Sequence, residues 1–257
     1  MTEAITIQEL SKSYATRDGE VLALQRVSIG VPEGQFIAVV GPSGCGKSTL
    51  LKILAGILPP TAGRAYLRGT AINGPRRDIG VVFQSPVLFP WRSVLDNVLL
   101  PIDVQKLGRE RYLETALDLL HLVHLDDVER RYPWELSGGM QQRVAITRAL
   151  VHDPAMLLMD EPFGALDAMT REHMNLELQR IWLEKKKTVL FITHSIPEAV
   201  FLGDRVLVMT PRPGRIVDDL HVDIPRPRSL DVMNTAGFGD YARHIRGRFT
   251  VTGGRGG

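Results

Sequence analysis

The sequence predicts an α/β fold: a mostly parallel sheet covered by helices, an antiparallel β region before it, and a helical insertion within it. Three observations carry this. The apolar runs Phe36–Val40, Ile79–Phe83, Ala155–Met159, Val189–Ile192 and Val206–Met209 have the length and continuity of strands buried on both faces. Helical patterns separate these runs, as parallel neighbours require. The first thirty residues differ: Ile5–Leu10, Val21–Ala23 and Val27–Val31 surround a polar turn at Asp18-Gly19, the pattern of an antiparallel sheet.

The helices follow from spacing. Leu113–Val123 sets Leu113, Ala116, Leu117 and Leu120 on one face. Thr170–Glu184 does the same with Met174, Leu178, Ile181 and Trp182, and both stripes read as core. Residues from about Pro86 to Pro133 are mainly helical in pattern and lie between two core strands. The inserted helical subdomain is therefore placed at about 86–150. From Pro225 the composition turns to Arg, Pro and Gly, so the main domain is expected over 1–224 and a tail over 225–257. The tail is expected to hold a short helix near Tyr241–Ile245 and a frayed end at Thr252–Gly257. Its arginines, Arg226, Arg228, Arg243, Arg246, Arg248 and Arg255, read first as a solvated, partly disordered end, with contact to lipid headgroups or the partner cassette as the alternative.

Composition excludes several function classes. With 257 residues, 44% of them hydrophobic and 23% charged, the chain is long and apolar enough for a large core. A net charge of +2 from 31 basic and 29 acidic side chains gives no footprint for nucleic acid, so none is expected as a partner. Cys45 is the only cysteine, which rules out an intrachain disulfide. Met1–Leu10 carries Glu3 and Glu9 and no apolar core, unlike a secretory signal. No run approaches the roughly 18 apolar residues of a membrane span, so any membrane role is expected to act through a partner.

The first chemical motif is Gly41-Pro42-Ser43-Gly44-Cys45-Gly46-Lys47-Ser48, which satisfies the phosphate-loop pattern G-x-x-x-x-G-K-[ST] at every fixed position. A strand precedes it and a helix, expected from Ser48 to about Gly56, follows, which is the required context. The glycines let successive backbone amides turn inward around phosphate oxygens, and the helix adds its positive end. Lys47 is expected on the β- and γ-phosphates and Ser48 on Mg²⁺, with Thr49 completing the cradle. The second motif is the strand Ala155–Met159 running into Asp160-Glu161. A buried strand delivers such carboxylates to the carboxyl edge of the sheet, where ligands bind. Asp160 suits a role on Mg²⁺ through its water shell, and Glu161 suits the base that polarises attacking water.

Those motifs are shared by kinases, GTPases and helicases; the segment between them is not. Leu136-Ser-Gly-Gly-Met-Gln-Gln-Arg143 resembles the signature of ATP-binding-cassette (ABC) ATPases. Ser137 is an N-cap residue type, Gly138 and Gly139 permit close backbone approach, and the helix beyond points its positive end outward. The resemblance extends from about Ile5 to Ile224 and implies a P-loop NTPase core of the ABC ATPase fold. It implies that Gln84 is the glutamine sensing Mg²⁺ and attacking water, that Ala165-Leu-Asp167 is the D-loop, and that His194 contacts the γ-phosphate. It implies that Tyr14 stacks on adenine. Met140 stands where glutamine is commoner and Gly164 where serine is commoner; neither change removes a ligand.

By the same resemblance the signature serves the ATP of a second copy, giving a head-to-tail dimer with two ATP molecules between phosphate loop and signature. Phe89-Pro-Trp91, Asp160–Asp167, Glu198–Arg205 and Met209–Ile216 further resemble the nitrate/sulfonate/taurine group of bacterial importers. That implies a transmembrane permease partner, an indirect link to a solute-binding protein, and a peripheral position on the cytoplasmic face of the cell membrane. Val87, Leu88, Phe89 and Trp91 lie in a Pro-bounded loop and read as a permease-docking surface, while Val94, Leu95 and Val98 read as core. The competing readings are a soluble ABC ATPase of DNA repair or translation, a P-loop kinase, and a non-catalytic cassette. A kinase gives no account of Leu136–Arg143, and a non-catalytic chain gives none of Lys47, Asp160, Glu161 and His194 together.

Overall fold

Uninterrupted apolar runs mark the strands of the central sheet here. The computed structural model describes residues 3–17 and 19–253, and the chain separates into two compact units, residues 1–76 with 186–257, and residues 77–185.

In the first unit, β1 (Glu3–Thr16) and β2 (Gly19–Pro32) form one long antiparallel hairpin. The two short segments expected at Val21–Ala23 and Val27–Val31 are therefore one strand. Register shifts between Ile7 and Ser13 absorb the polar residues between them, a bulged pairing that simple alternation does not reveal. Asp18, expected in the turn, lies outside the described residues. β4 (Ala62–Leu67) and β5 (Thr70–Ala71) extend this sheet in the order β2-β1-β4-β5. These strands escaped prediction because only Ala65 and Leu67 of β4 are buried, too few for a period-2 signal.

The central strand of this unit is β3 (Phe36–Val40), every residue of which is buried. It pairs in parallel with β8 (Thr188–Thr193) on one side and β9 (Arg205–Met209) on the other, and β10 (Ile216–His221) closes the edge antiparallel to β9. Phe36 and Phe191 meet with ring centroids 5.8 Å apart in this core. Helix α1 (Lys47–Leu54) follows β3, and α7 (Ile196–Leu202) follows β8.

The second unit holds the parallel pair β6 (Ile79–Val82) and β7 (Met156–Asp160). Its helices are α2 (Val94–Val98), α3 (Leu100–Gln105), α4 (Leu113–Leu122), α5 (Gly138–Leu150) and α6 (Ala168–Lys185). Met174, Leu178, Ile181 and Trp182 of α6 are buried as expected. The stripe expected on α4 is corrected: Leu113 and Leu117 are exposed, and the buried face is Ala116, Leu119 and Leu120. The apolar residues cover more than one face, so the spacing alone allowed either register. Val94 and Val98 are buried and Leu95 half-buried, while Val87 (55% exposed) and Trp91 (69%) face outward, with Trp91 stacked on Phe89 at 5.1 Å.

The C-terminal segment departs most from expectation. Helix α8 spans Ala236–Gly253 and seats Phe238, Ala242 and Ile245 in the core at helical spacing. Gly237, Gly239 and Gly247 lower its intrinsic propensity, which hid it in the sequence. The frayed end expected at Thr252–Gly257 lies, from residue 254 on, outside the described residues, as does Arg255. Arg228 is not solvated but 3% exposed, donating to the carbonyls of Val200, Phe201 and Gly203 at 2.8–2.9 Å and to Ile224 and Val222. It thereby satisfies carbonyls at the C-terminus of α7 that the helix itself cannot. Burial, reinforced by Arg226, pushes its pKa down to about 10, which still leaves it charged at neutral pH. Arg226 pairs with Asp204 at 2.9 Å, and Asp204 also accepts the Phe36 amide at 2.8 Å, tying the segment to the start of β3. Arg228→Met is expected to strand these carbonyls and lower stability by about 3 kcal/mol, to be measured by urea unfolding; a loss near zero would show that water replaces the guanidinium.

Candidate functional site

Two clusters of candidate residues form, one in each unit. In the first, the chain leaves β3 at Val40 and enters the loop Gly41–Gly46. Gly44 and Gly46 adopt φ of 74° and 103°, left-handed values that glycine reaches without steric cost. Gly46 is the N-cap of α1 and offers no side-chain acceptor, and the first turn of α1 carries no acid. The orphan amides and positive end of this helix are therefore directed to an anion. Lys47 is only 5% exposed, its ammonium donating to Gly41 O at 2.7 Å and Pro42 O at 3.1 Å, with Cys45 Sγ 4.0 Å away. Glycine conformation, uncapped helix start and buried cation together fit a polyphosphate. Ser43 and Ser48 are exposed beside it, and Pro42 and Thr49 half-buried.

His194 enters the same cluster through strand register. Val40 pairs with Thr193 across the parallel β3–β8 ladder, so Gly41 and His194 leave adjacent strands at the same edge. His194 is exposed there. The turn beneath it is fixed by residues that sequence reading missed. Glu198, 6% exposed, accepts the Thr193 hydroxyl at 2.5 Å, and the Ser195 amide donates to that hydroxyl at 3.0 Å. Ser195 in turn caps α7 through the Glu198 amide. The Ser195-x-x-Glu198 spacing, a capping-box pattern, was the available signal. Tyr14, 38% exposed, meets the Thr49 hydroxyl at 3.2 Å, and Lys12 lies 5.5 Å from its ring centroid. Tyr14 thus presents a ring held at its hydroxyl and supported by a cation.

In the second unit β6 and β7 run in parallel with Val82 opposite Met159, which brings Asp160 and Glu161 to the edge at which Gln84 leaves β6. Gln84 lies two residues past the end of β6. It is exposed, and its amide is the nearest group to Gly164, 3.1 Å from where a Cβ would sit. Glu161 has φ 45°, a left-handed value uncommon for a residue other than glycine, and its carbonyl accepts the Gly164 amide at 3.0 Å.

Ser137 caps α5, accepting the Met140 amide at 3.3 Å, and the helix begins at Gly138. Ser137 and Gly138 are exposed at this helix start, while Gly139 is buried. A Cβ on Gly139 would sit 3.0 Å from Thr170 Cγ2, which explains the second glycine of the signature by packing. Asp167 accepts the Thr170 amide at 3.0 Å at the start of α6, and hydrogen bonds from Thr170 hold its carboxyl below the usual range. Sequence reading also missed Gln142, 2% exposed, which donates to Phe83 O at 3.5 Å next to Gln84.

Known proteins match this arrangement. The family described as ABC transporter matches residues 24–164. The taurine import ATP-binding protein TauB of Rhizobium johnstonii is 51% identical over 223 residues, 86% of this chain and 85% of that protein. The aliphatic sulfonates import ATP-binding protein SsuB of Bacillus cereus is 40% identical over 250 residues, 97% of each chain. Among solved structures, the dimeric bacterial ABC transporter cassette MJ0796 superposes with a TM-score of 0.75 at 34% identity, covering 86% of this chain and 100% of that one. With family match, near full-length relatives and fold in agreement, the chain belongs to the ABC transporter ATP-binding proteins and carries an ABC-type ATPase activity.

Proposed function

We propose that this chain is the ATP-hydrolysing subunit of an importer for taurine, aliphatic sulfonates or a solute of similar chemistry. It works as a pair of copies that drives a separate membrane permease. The observation that carries the reading is the second anion-directed helix start. Ser137 and Gly138 stand exposed at the start of α5, open to a nucleotide brought by another chain. A second copy supplies that nucleotide, in keeping with the dimeric state of the MJ0796 cassette. The solute class rests on the TauB and SsuB relatives.

Within this reading Lys47 and the loop amides hold the β- and γ-phosphates, Tyr14 stacks on adenine, and His194 contacts the γ-phosphate. Among the described residues no cluster of three His, Cys, Asp or Glu side chains could hold a metal alone. By the family resemblance, Ser48 would hold Mg²⁺ with the phosphates, Asp160 would act on it through its water shell, and Gln84 would sense it and the attacking water. When bound, it neutralises charge on the β- and γ-phosphates. Glu161 accepts a proton from the attacking water, and Asp167 orders the start of α6 near the signature glycines.

No helix among the described residues is long and apolar enough to cross a membrane. The importer relatives support a place on the cytoplasmic face of the membrane, held by a permease. Val87, Phe89 and Trp91 are the surface offered to it. Trp91→Ala is expected to leave the melting temperature unchanged and to reduce copurified permease several-fold. Undiminished permease would remove this loop from the interface. The reading as a whole is tested by tagging the chain, solubilising its membranes in mild detergent and identifying stoichiometric partners by mass spectrometry. A multi-span protein supports the importer. Ribosomal or DNA-repair proteins in its place would overturn it.

A further inference from the structure

The segment Thr210–Arg215, between β9 and β10, is closed on itself and pressed against the phosphate loop. Thr210 N donates to Arg215 O at 2.9 Å, Arg215 N to Thr210 Oγ1 at 3.0 Å, and Thr210 Oγ1 to Pro213 O at 3.0 Å. It is also tied to β2, since Gly214 N donates to Ala23 O at 2.9 Å and Gln25 N to Gly214 O at 3.0 Å. Gly214 passes so close to the phosphate loop that a Cβ there would lie 2.0 Å from Cys45 O. From this rigid segment the exposed side chain of Arg212 reaches Gly44, both Nε and Nη2 standing 3.3 Å from its carbonyl oxygen.

A loop that turns its amides toward an anion must turn carbonyls elsewhere, and each of those needs a donor. In this loop Lys47 serves Gly41 and Pro42, and Arg212 serves Gly44. The left-handed Gly44 has little side-chain packing to hold it, because its own substituent is hydrogen. A fork of two charged donors on the carbonyl fixes the orientation of the Gly44–Cys45 peptide, and with it the direction of the Cys45 amide.

We propose that Arg212 is a positioning residue for nucleotide binding, holding the Gly44–Cys45 peptide in its phosphate-receptive orientation from a strap formed by Thr210–Arg215. This rests on the reading of Gly41–Ser48 as the phosphate-binding loop. Because the effect acts on the shape of the loop and not on the terminal phosphate, ATP and ADP should suffer alike.

The test is a titration of the full-length chain with ATP and with ADP, in wild type, Arg212→Ala, Arg212→Lys and Lys47→Ala. The expected result is a loss of about three- to tenfold in affinity for both nucleotides in Arg212→Ala. Arg212→Lys, which keeps a charged donor but not the fork, should restore part of it. Peptide-level hydrogen exchange over residues 41–48 without nucleotide should also be faster in Arg212→Ala, so the proposal keeps a readout if binding is weak. Unchanged affinity with unchanged exchange overturns it. A loss confined to ATP also overturns it, since that would mean direct contact with the terminal phosphate. If Lys47→Ala and Arg212→Ala both bind nucleotide as well as wild type, neither side chain supports the loop; if Lys47→Ala is weakened and only Arg212→Ala is silent, the strap alone has failed.

Discussion

Glu161→Gln is expected to reduce ATP turnover by about two to four orders of magnitude, the usual worth of a general base, while leaving ATP bound. The substitution removes the proton acceptor and keeps the shape. The backbone of Glu161 follows directly on β7, and its carbonyl accepts the Gly164 amide. Glutamine should therefore occupy the same left-handed position without further distortion. With hydrolysis blocked, ATP stays between two copies, and the closed dimer accumulates. Phosphate release and size-exclusion chromatography with ATP and Mg²⁺ measure the two halves of this expectation. Turnover within a few-fold of wild type would remove Glu161 from the role of base. A variant that stays monomeric with ATP and Mg²⁺, and also fails to trap a dimer in the assembled complex, would sink the two-copy mechanism.

Lys47→Ala should act at the earlier step. The ammonium is buried and donates to Gly41 and Pro42 carbonyls, so it is already desolvated and aimed along the loop. Exchanging those carbonyls for phosphate oxygens replaces neutral acceptors with charged ones. Its loss is expected to weaken ATP binding by about 3 kcal/mol, roughly a hundredfold. A convenient readout is thermal: saturating ATP should raise the melting temperature of wild type and barely move the variant. Equal ATP-dependent shifts in both would argue that the loop amides alone hold the phosphates.

The parallel strands and the residues at their ends were legible because those strands are buried on both faces, which writes an uninterrupted apolar run into the sequence. Phe36–Val40 matches β3 residue for residue. The motifs at the strand ends could then be placed on the correct edge. Segments with one solvated face were harder. In β4 two buried residues gave no pattern, and in α4 the excess of leucines disguised which face was inward. The arginines of the C-terminal segment misled for a different reason. Arg228 looks like a solubilising charge in a Pro-rich stretch, and its burial depends on five carbonyls brought together only by the fold. The roles of Glu198 and Arg212 were not read from the segments that contain them, since each acts on a neighbour far smaller than a motif: a hydroxyl in one case, a single carbonyl in the other.

The pairing of Val40 with Thr193 restricts how this chain can vary in length. An insertion of one residue within β8 would invert the facing of every later side chain in that strand and carry His194 out of step with Gly41. Two inserted residues would restore the facing but overshoot the edge by about 7 Å. Length variation in this protein should accordingly be confined to connections that enter the strands from their amino ends, such as the stretch from Lys185 to Lys187. The carboxyl-end turns, which hold the chemistry, should keep a constant count of residues even where their identities drift.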